Sequence, residues 1–144
     1  MKKRVFLLVA VLTMFILMAL GSSQALAKAP LVVDGINYTT IQAAVDAANP
    51  GDTILVNPAV YSEAVAINKN DLTLVAKPGA ILDGTGLADV GDVNGFTIAN
   101  GVSGVTIKYF EIRNYTSTRT GVGNGIQAWN RGTSSIIIQA KCHS

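Results

Sequence analysis

The sequence predicts an all-β fold, a parallel β-solenoid in which each short strand pairs with its counterpart one coil away. Short aliphatic runs recur after Asp52, with Asn, Gly, Pro, Asp or Lys near their ends, as expected for strands between tight turns. No helical pattern separates these runs, so a βαβ arrangement is excluded. An antiparallel β-sandwich is the alternative. The predicted strands are residues 53–56, 64–67, 72–75, 80–82, 96–98, 105–107, 110–112, 125–128 and 136–138.

A weak internal repeat favours stacked coils over the sandwich. Residues 94–107 resemble residues 124–138 at an offset of about 30, and each copy reads as Asn-Gly, strand, polar turn with serine, strand. Two of the three Asn-Gly pairs stand immediately before a strand rather than between closely paired strands. Inward alternation then predicts one continuous core that contains Phe96, Ile98, Val105 and Ile107.

One amphipathic helix of about ten residues precedes the first of these strands. Thr39 and Gln42 have the spacing of a capping box, and residues 49–52, Asn-Pro-Gly-Asp, end the helix. Its apolar stripe has helical spacing and small side chains, which suits a helix that covers the open end of a solenoid. The stripe consists of Ile41, Ala44, Val45 and Ala48.

Residues 1–27 have the pattern of a secretory signal peptide. Three cations at positions 2–4 precede an uncharged apolar run over residues 5–20, and Ala25-Leu26-Ala27 supplies a small-residue cleavage site. We therefore expect cleavage after Ala27 and a secreted, cell-surface or periplasmic protein. The alternative is an uncleaved anchor, since the apolar run is only slightly shorter than the roughly 20 residues that span a bilayer.

Removal of this segment changes the composition of the chain. It contains three of the eleven cations and none of the nine acids, so residues 28–144 have eight cations and a formal charge of −1. Charge therefore indicates neither a nucleic-acid partner nor a membrane partner after cleavage. The remaining length of about 117 residues fits one small domain. Cys142 is the only cysteine, which excludes an intramolecular disulfide, and we expect it to lie in a frayed tail with His143.

Residues 38–56 resemble the opening of right-handed parallel β-helix proteins of the pectate-lyase-like superfamily, where the phrase I-Q-A-A-x-x-A-A-x-P-G-D-T-I marks the capping helix and the turn into the first strand. Residues 58–63, 78–84 and 104–114 are similar to later segments of that family, apart from Ala59, where the family usually has glycine. The resemblance implies a right-handed parallel β-helix of about three coils with an N-terminal capping α-helix.

The C-terminal end of the sequence lacks a recognisable cap after residues 136–138. Solenoids need terminal caps for solubility, so we expect residues 28–144 to be the N-terminal part of a β-helix domain that is truncated at the C-terminus. The alternative is a natural small β-helix that self-associates through its open end.

The resemblance implies an exported protein that binds polysaccharide or degrades it in the manner of a lyase. The chemistry of that family lies on later coils, and no residue of this sequence matches a catalytic motif. The alternative is a non-catalytic surface, adhesion or periplasmic accessory protein that uses the β-helix as a scaffold.

Two groups of residues are candidate sites. Asp83, Asp89 and Asp92 lie in a long Gly-rich loop, and calcium prefers such oxygen ligands on flexible loops, although Asp and Gly are also ordinary turn residues. Aromatic rings offer sugars an apolar platform and arginine pairs with carboxylates, so residues near the later strands are candidates for binding polysaccharide. The second group consists of Arg113, Tyr115 and Trp129, with Lys108, Tyr109, Glu111, Arg119 and Arg131 nearby.

Overall fold

The computed structural model describes residues 28–87, 93–115, 125–128 and 137–143. This part of the chain contains one helix, α1 (Ile41–Ala47), and ten strands. The strands are β1 (Leu31–Val33), β2 (Thr53–Val56), β3 (Ala59–Tyr61), β4 (Val65–Ile67), β5 (Thr73–Ala76), β6 (Ala80–Asp83), β7 (Phe96–Ile98), β8 (Thr106–Arg113), β9 (Ile126–Ala128) and β10 (Ile137–His143).

The strands form two sheets with parallel pairing throughout. One sheet has the order β1-β2-β5-β8-β6-β3, with β10 also paired to β8, and the other has the order β4-β7-β9. The all-β prediction is therefore confirmed as a fold of parallel sheets with one helix, and the antiparallel sandwich is excluded for the described residues.

The strand registers confirm the predicted repeat. Phe96 on β7 lies opposite Ile126 on β9, and Ile107 on β8 lies opposite Ile138 on β10, at offsets of 30 and 31 residues. The glycines of the repeat are required by close approach, because a Cβ atom added to Gly95 would lie 2.5 Å from the carbonyl oxygen of Gly125. No side chain fits at that distance, which accounts for glycine after Asn94.

A single apolar cluster fills the space inside the strands. The four residues that alternation places inward, Phe96, Ile98, Val105 and Ile107, are fully buried, as predicted. The rings of Phe96 and Phe110 meet edge to face, with centroids 5.1 Å apart and an interplanar angle of 76°. Such pairs add to the stabilisation that burial alone provides.

Helix α1 is shorter than predicted and is capped differently. It has seven residues, and Thr40 rather than Thr39 is its N-cap, with its hydroxyl accepting a hydrogen bond from the backbone N–H of Ala43. Gln42 does not complete a capping box; its side chain bonds instead to both backbone groups of Ala66, 24 residues further on. The prediction was wrong because Thr40 is the N-cap, so Gln42 lies two residues after the cap rather than the three that a capping box requires.

Charged residues outside α1 form hydrogen bonds with backbone groups at both ends of the helix. The carboxylate of Glu63 accepts hydrogen bonds from the backbone N–H groups of Ile41 and Gln42, at 2.8 and 3.0 Å. The ammonium group of Lys69 donates to the carbonyls of Val45, Asp46 and Ala48 at the other end. An anion at the N-terminus and a cation at the C-terminus both interact favourably with the helix dipole. The segment that contains β4 therefore holds the helix in place.

The structure contains two strands that the sequence pattern did not reveal and extends a third. β1 and β3 have three residues each and follow turn-rich stretches, so their alternation is too short to recognise. β10 continues to His143, so Cys142 lies on a strand opposite Ile112 rather than in the frayed tail that we predicted. Pairing with β8 supplies the backbone hydrogen bonds that keep this segment extended.

Candidate binding groove

A groove with a volume of about 660 Å³ lies at the corner where β8 bends. The first half of β8 pairs with β5 and its second half with β6, and Tyr109 at the bend has a φ of +65°. Its side chain, one of seven that line the groove, is 64% exposed. The full lining consists of Ala76, Pro78, Tyr109, Phe110, Gln139, Ala140 and Lys141.

The groove lies where successive corners of the chain become shorter. Five residues, 76–80, separate the two β5 and β6 positions that pair with Lys108 and Glu111 on β8. Only two residues separate Lys108 from Glu111, and a single residue separates their partners Gln139 and Lys141 on β10. Residues of this long corner and of the two shorter corners together line the groove.

Tyr109 adopts a backbone conformation that is costly for a tyrosine. The left-handed region costs an L-residue with a Cβ roughly 1–2 kcal/mol, and glycine or asparagine adopts it more easily. Burial does not compensate, since most of the ring is exposed. Strained residues of this kind cluster at functional sites.

Among the described residues, the one charged residue that lines the groove is a cation. Lys141 lines it, Lys77 lies between the lining residues Ala76 and Pro78, and Lys108 immediately precedes Tyr109. Glu111 is the register partner of Lys141 on β8, and its carboxylate lies 3.6 Å from Arg113 Nη1. None of the described acids lines the groove. The positive charge of Lys141 favours an anionic ligand.

The three predicted polysaccharide-binding residues differ in their surroundings. Arg113 is partly exposed, but its Nε donates to Asp83 Oδ2 at 2.9 Å. Tyr115 lies in the interior with 8% of its surface exposed, and its hydroxyl donates to the backbone carbonyl of Glu63. Burial also raises the pKa of Tyr115 well above its usual value. The ring has little free face to offer a sugar, and Trp129 lies outside the described residues.

Asp83, the first of the predicted calcium ligands, is engaged by protein donors. Besides the Arg113 bond, its carboxylate accepts hydrogen bonds from the backbone N–H and hydroxyl of Thr85 and from the amide of Asn114. These bonds hold the pKa of Asp83 well below its usual range, and the bond from the Thr85 hydroxyl has the largest effect. Asp89 and Asp92 lie outside the described residues, so the calcium site in this loop stays a prediction. The described residues contain no group of three or more His, Cys, Asp or Glu side chains positioned for a metal.

Sequence reasoning included Tyr109 only among nearby aromatic residues and missed Gln139 and Lys141. The signal for Tyr109 was its position between two predicted strands, residues 105–107 and 110–112, where it and Lys108 are the two linking residues. Gln139 and Lys141 were missed because they follow the last predicted strand, residues 136–138.

No protein family, curated protein or solved structure matches this sequence. Among the described residues, no helix is long and apolar enough to span a membrane. Residues 1–27 lie outside them, so the signal peptide stays a prediction. We therefore infer the function of the groove at Tyr109 from the residues that line it.

Proposed function

We propose that this chain forms an exported right-handed parallel β-helix, and that it binds an acidic polysaccharide in the groove at Tyr109. The observation that carries the binding proposal is the exposed ring of Tyr109 in a groove that Lys141 also lines, with Lys77 and Lys108 next in sequence to lining residues. An aromatic face packs against the apolar face of a sugar ring, and lysines attract its carboxylates.

The strand registers support the β-helix. One column of paired residues runs through Leu31, Ile54, Leu74, Ile107 and Ile138, so that successive strands stack in sequence order. A second column joins Val65, Phe96 and Ile126, at offsets close to 30 residues. Repeated parallel pairing at such intervals is typical of coils stacked along one axis. Parallel crossovers within one sheet are almost always right-handed, which favours the right-handed form.

Helix α1 supports the role of an N-terminal cap in this β-helix. Its buried face, Ile41, Ala44 and Val45, packs against β1, β2 and β4. A helix in that position covers the apolar cross-section that the first coil would otherwise expose.

Export rests on the pattern of residues 1–27, and its test is direct. Expression of the full gene with N-terminal sequencing of the exported protein is expected to show Lys28 as the first residue. An intact N-terminus in the membrane fraction would favour the uncleaved anchor instead.

The binding proposal is tested with acidic and neutral polysaccharides. We expect the exported chain to bind polygalacturonate or alginate oligosaccharides in calorimetry, with an affinity that falls as salt rises because the lysine contribution is screened. Tyr109→Asn removes the ring but suits the backbone conformation, so it is expected to weaken binding at least about tenfold without unfolding the chain. Ile36→Ala, at an exposed site away from the groove, is the matched control.

Two results would contradict the binding proposal. One is the absence of binding to every acidic polymer tested, and the other is binding that Tyr109→Asn and Lys141→Gln leave unchanged. We also expect no unsaturated products from pectate or alginate, with or without calcium, because no catalytic motif can be assigned to this chain. A clear release of such products would show a complete lyase site.

The exposed strand β10 favours a second candidate, a non-catalytic scaffold that self-associates. Ile137 and Ile138 are 51% and 46% exposed, and in the described part of the chain β10 pairs only with β8. An unpaired strand edge with apolar side chains is a template for pairing with another chain. Light scattering at increasing concentration is expected to show a dimer that Ile138→Lys abolishes; a monomer at all concentrations would exclude this role.

A further inference from the structure

Three asparagine–glycine pairs lie in this sequence, at residues 94–95, 100–101 and 124–125. In such a pair the side-chain amide of asparagine is close in the chain to the next backbone nitrogen, which no Cβ atom of glycine shields. Asparagine is also among the thermolabile residues of proteins. The structure describes the first two pairs in full, and their surroundings are opposite in character.

The pair at Asn94 and Gly95 is packed in the interior. Asn94 is 5% exposed, and its side-chain amide donates a hydrogen bond to Gln127 Oε1 on β9. Gly95 has no room for a side chain beside the carbonyl oxygen of Gly125, and its own carbonyl accepts a hydrogen bond from the backbone of Val65. Neighbouring coils therefore fix both residues of this pair.

The pair at Asn100 and Gly101 lies in an exposed turn between β7 and β8. Both residues are exposed, and no atom beyond the chain neighbours lies within 4 Å of the position that a Cβ atom on Gly101 would take. The backbone N–H of Val102 closes the turn by donating to the carbonyl of Ala99 at 3.2 Å. Gly101 has a φ of +82°, as at the third position of a type II turn. The closing bond does not involve the N–H of Gly101.

We propose that Asn100 is a site of spontaneous deamidation in the folded chain, whereas Asn94 is protected. The backbone nitrogen of Gly101 attacks Cγ of Asn100, the new C–N bond closes a five-membered imide, and the Cγ–Nδ2 bond breaks. The proton of the attacking nitrogen leaves with the amide group as ammonia. Water then opens the imide at either carbonyl, which gives aspartate or isoaspartate. One water is consumed for each ammonia released, so no other reactant is required.

The fold permits this reaction at one pair and opposes it at the other. The attack requires rotation of the asparagine side chain and of the adjacent backbone bond until Cγ lies next to the nitrogen. An exposed turn has the space for that rotation and moves on a fast timescale. At Asn94 the same rotation breaks the bond to Gln127 and moves Gly95 away from its close contact with Gly125. It therefore requires local opening of the coil, and the free energy of opening lowers the rate.

The products change both the charge and the backbone of the turn. Each product adds one negative charge to the chain. Isoaspartate also adds a carbon atom to the main chain between Ala99 and Val102, the two residues that the closing hydrogen bond joins. Val102 is 6% exposed and belongs to the core, so a longer turn displaces a buried side chain. The isoaspartate form is therefore expected to melt at a lower temperature than the aspartate form.

The experiment incubates the exported chain in mildly alkaline buffer made with oxygen-18 water and follows both sites by peptide mass spectrometry. Each conversion replaces the amide nitrogen with a heavy oxygen atom, which distinguishes it from aspartate that was already present. In the folded chain, conversion at Asn100 is expected to be at least about tenfold faster than at Asn94, which must first open. The same chain in concentrated urea is the matched control. The fold then protects neither pair, and the two rates are expected to become similar.

Asn100→Ser removes the reacting amide and is expected to abolish conversion at this site while conversion at Asn94 stays unchanged. An isoaspartate-specific methyltransferase identifies the isoaspartate product, and thermal unfolding of fresh and aged chains measures its effect. The proposal is overturned if Asn100 stays intact in the folded chain while it converts in urea. Equal rates at Asn94 and Asn100 in the folded chain, or a faster rate at Asn94, would overturn it as well.

Discussion

Aliphatic side chains in the same column of strands are exposed to different extents at the two ends of the described core. Ile54, Leu74 and Ile107 occupy one column of paired residues and are fully buried, whereas Ile138 at the end of that column is 46% exposed. At the other end of the core, helix α1 packs against β1 and β2, and Glu63 and Lys69 form hydrogen bonds with backbone groups at its two ends. An isoleucine in this column is therefore fully buried only where a layer lies on both sides of it.

The largest expected effect comes from comparing two isoleucines in that column. Ile107→Ala leaves a cavity between two layers, and its free energy of unfolding is expected to fall by about 2–5 kcal/mol. Ile138→Ala removes the same atoms from a half-exposed site and is expected to cost less than about 1 kcal/mol. Urea unfolding followed by circular dichroism measures both. Equal losses would mean that another part of the protein covers β10.

The next prediction concerns the charged groups that bond to helix α1 at the end of the core opposite β10. Glu63→Ala leaves the N–H groups of Ile41 and Gln42 without their acceptor, and the expected loss is about 1–3 kcal/mol of unfolding free energy. Glu63→Gln keeps one acceptor oxygen and is expected to lose about half as much. A loss from Glu63→Ala as small as that of an exposed substitution such as Ile36→Ala would contradict this role.

The pH dependence of stability tests the paired carboxylate at the end of β6. Because the pKa of Asp83 is lower in the folded chain, its ionised form favours folding above the unfolded pKa of about 4, and this contribution is lost as the pH falls. Asp83→Asn is therefore expected to be clearly less stable than the unaltered chain near about pH 7, with a smaller difference near about pH 2.5.

Denaturant unfolding at the two pH values measures that difference. Asp34 and Asp52 also have lowered pKa values, so both proteins are expected to lose some stability in acid. A difference between the two proteins that does not change with pH would show that the Asp83 interactions do not depend on its charge.

The smallest effect concerns the strained residue of the groove. Tyr109→Asn suits the positive φ and is expected to raise the unfolding free energy by up to about 1 kcal/mol, whereas Tyr109→Val is expected to lower it by about 1 kcal/mol. Thermal unfolding of the three proteins gives the order. If both substitutions destabilise equally, the ring rather than the backbone determines the stability of the corner.

The sequence predicted those elements whose pattern is local. β2 and β7 have the predicted limits, and the copies of the repeat lie side by side, because alternation and turn residues act over a few positions. β8 was predicted as two strands, residues 105–107 and 110–112, and the structure joins them through Tyr109. The candidate site was harder to predict, since its walls come from β5, β8 and β10, which lie about 30 residues apart in the chain.

The sequence by itself determined the all-β pattern, the single helix before it and the 30-residue repeat, because these depend on short-range periodicity and on residues such as proline and glycine. Only the tertiary structure decided that Glu63 and Lys69 hold the helix, that Tyr115 is buried and that Tyr109 lies in a groove. Each of these results depends on residues 20 or more positions apart, which parallel stacking brings into contact and which no local pattern encodes.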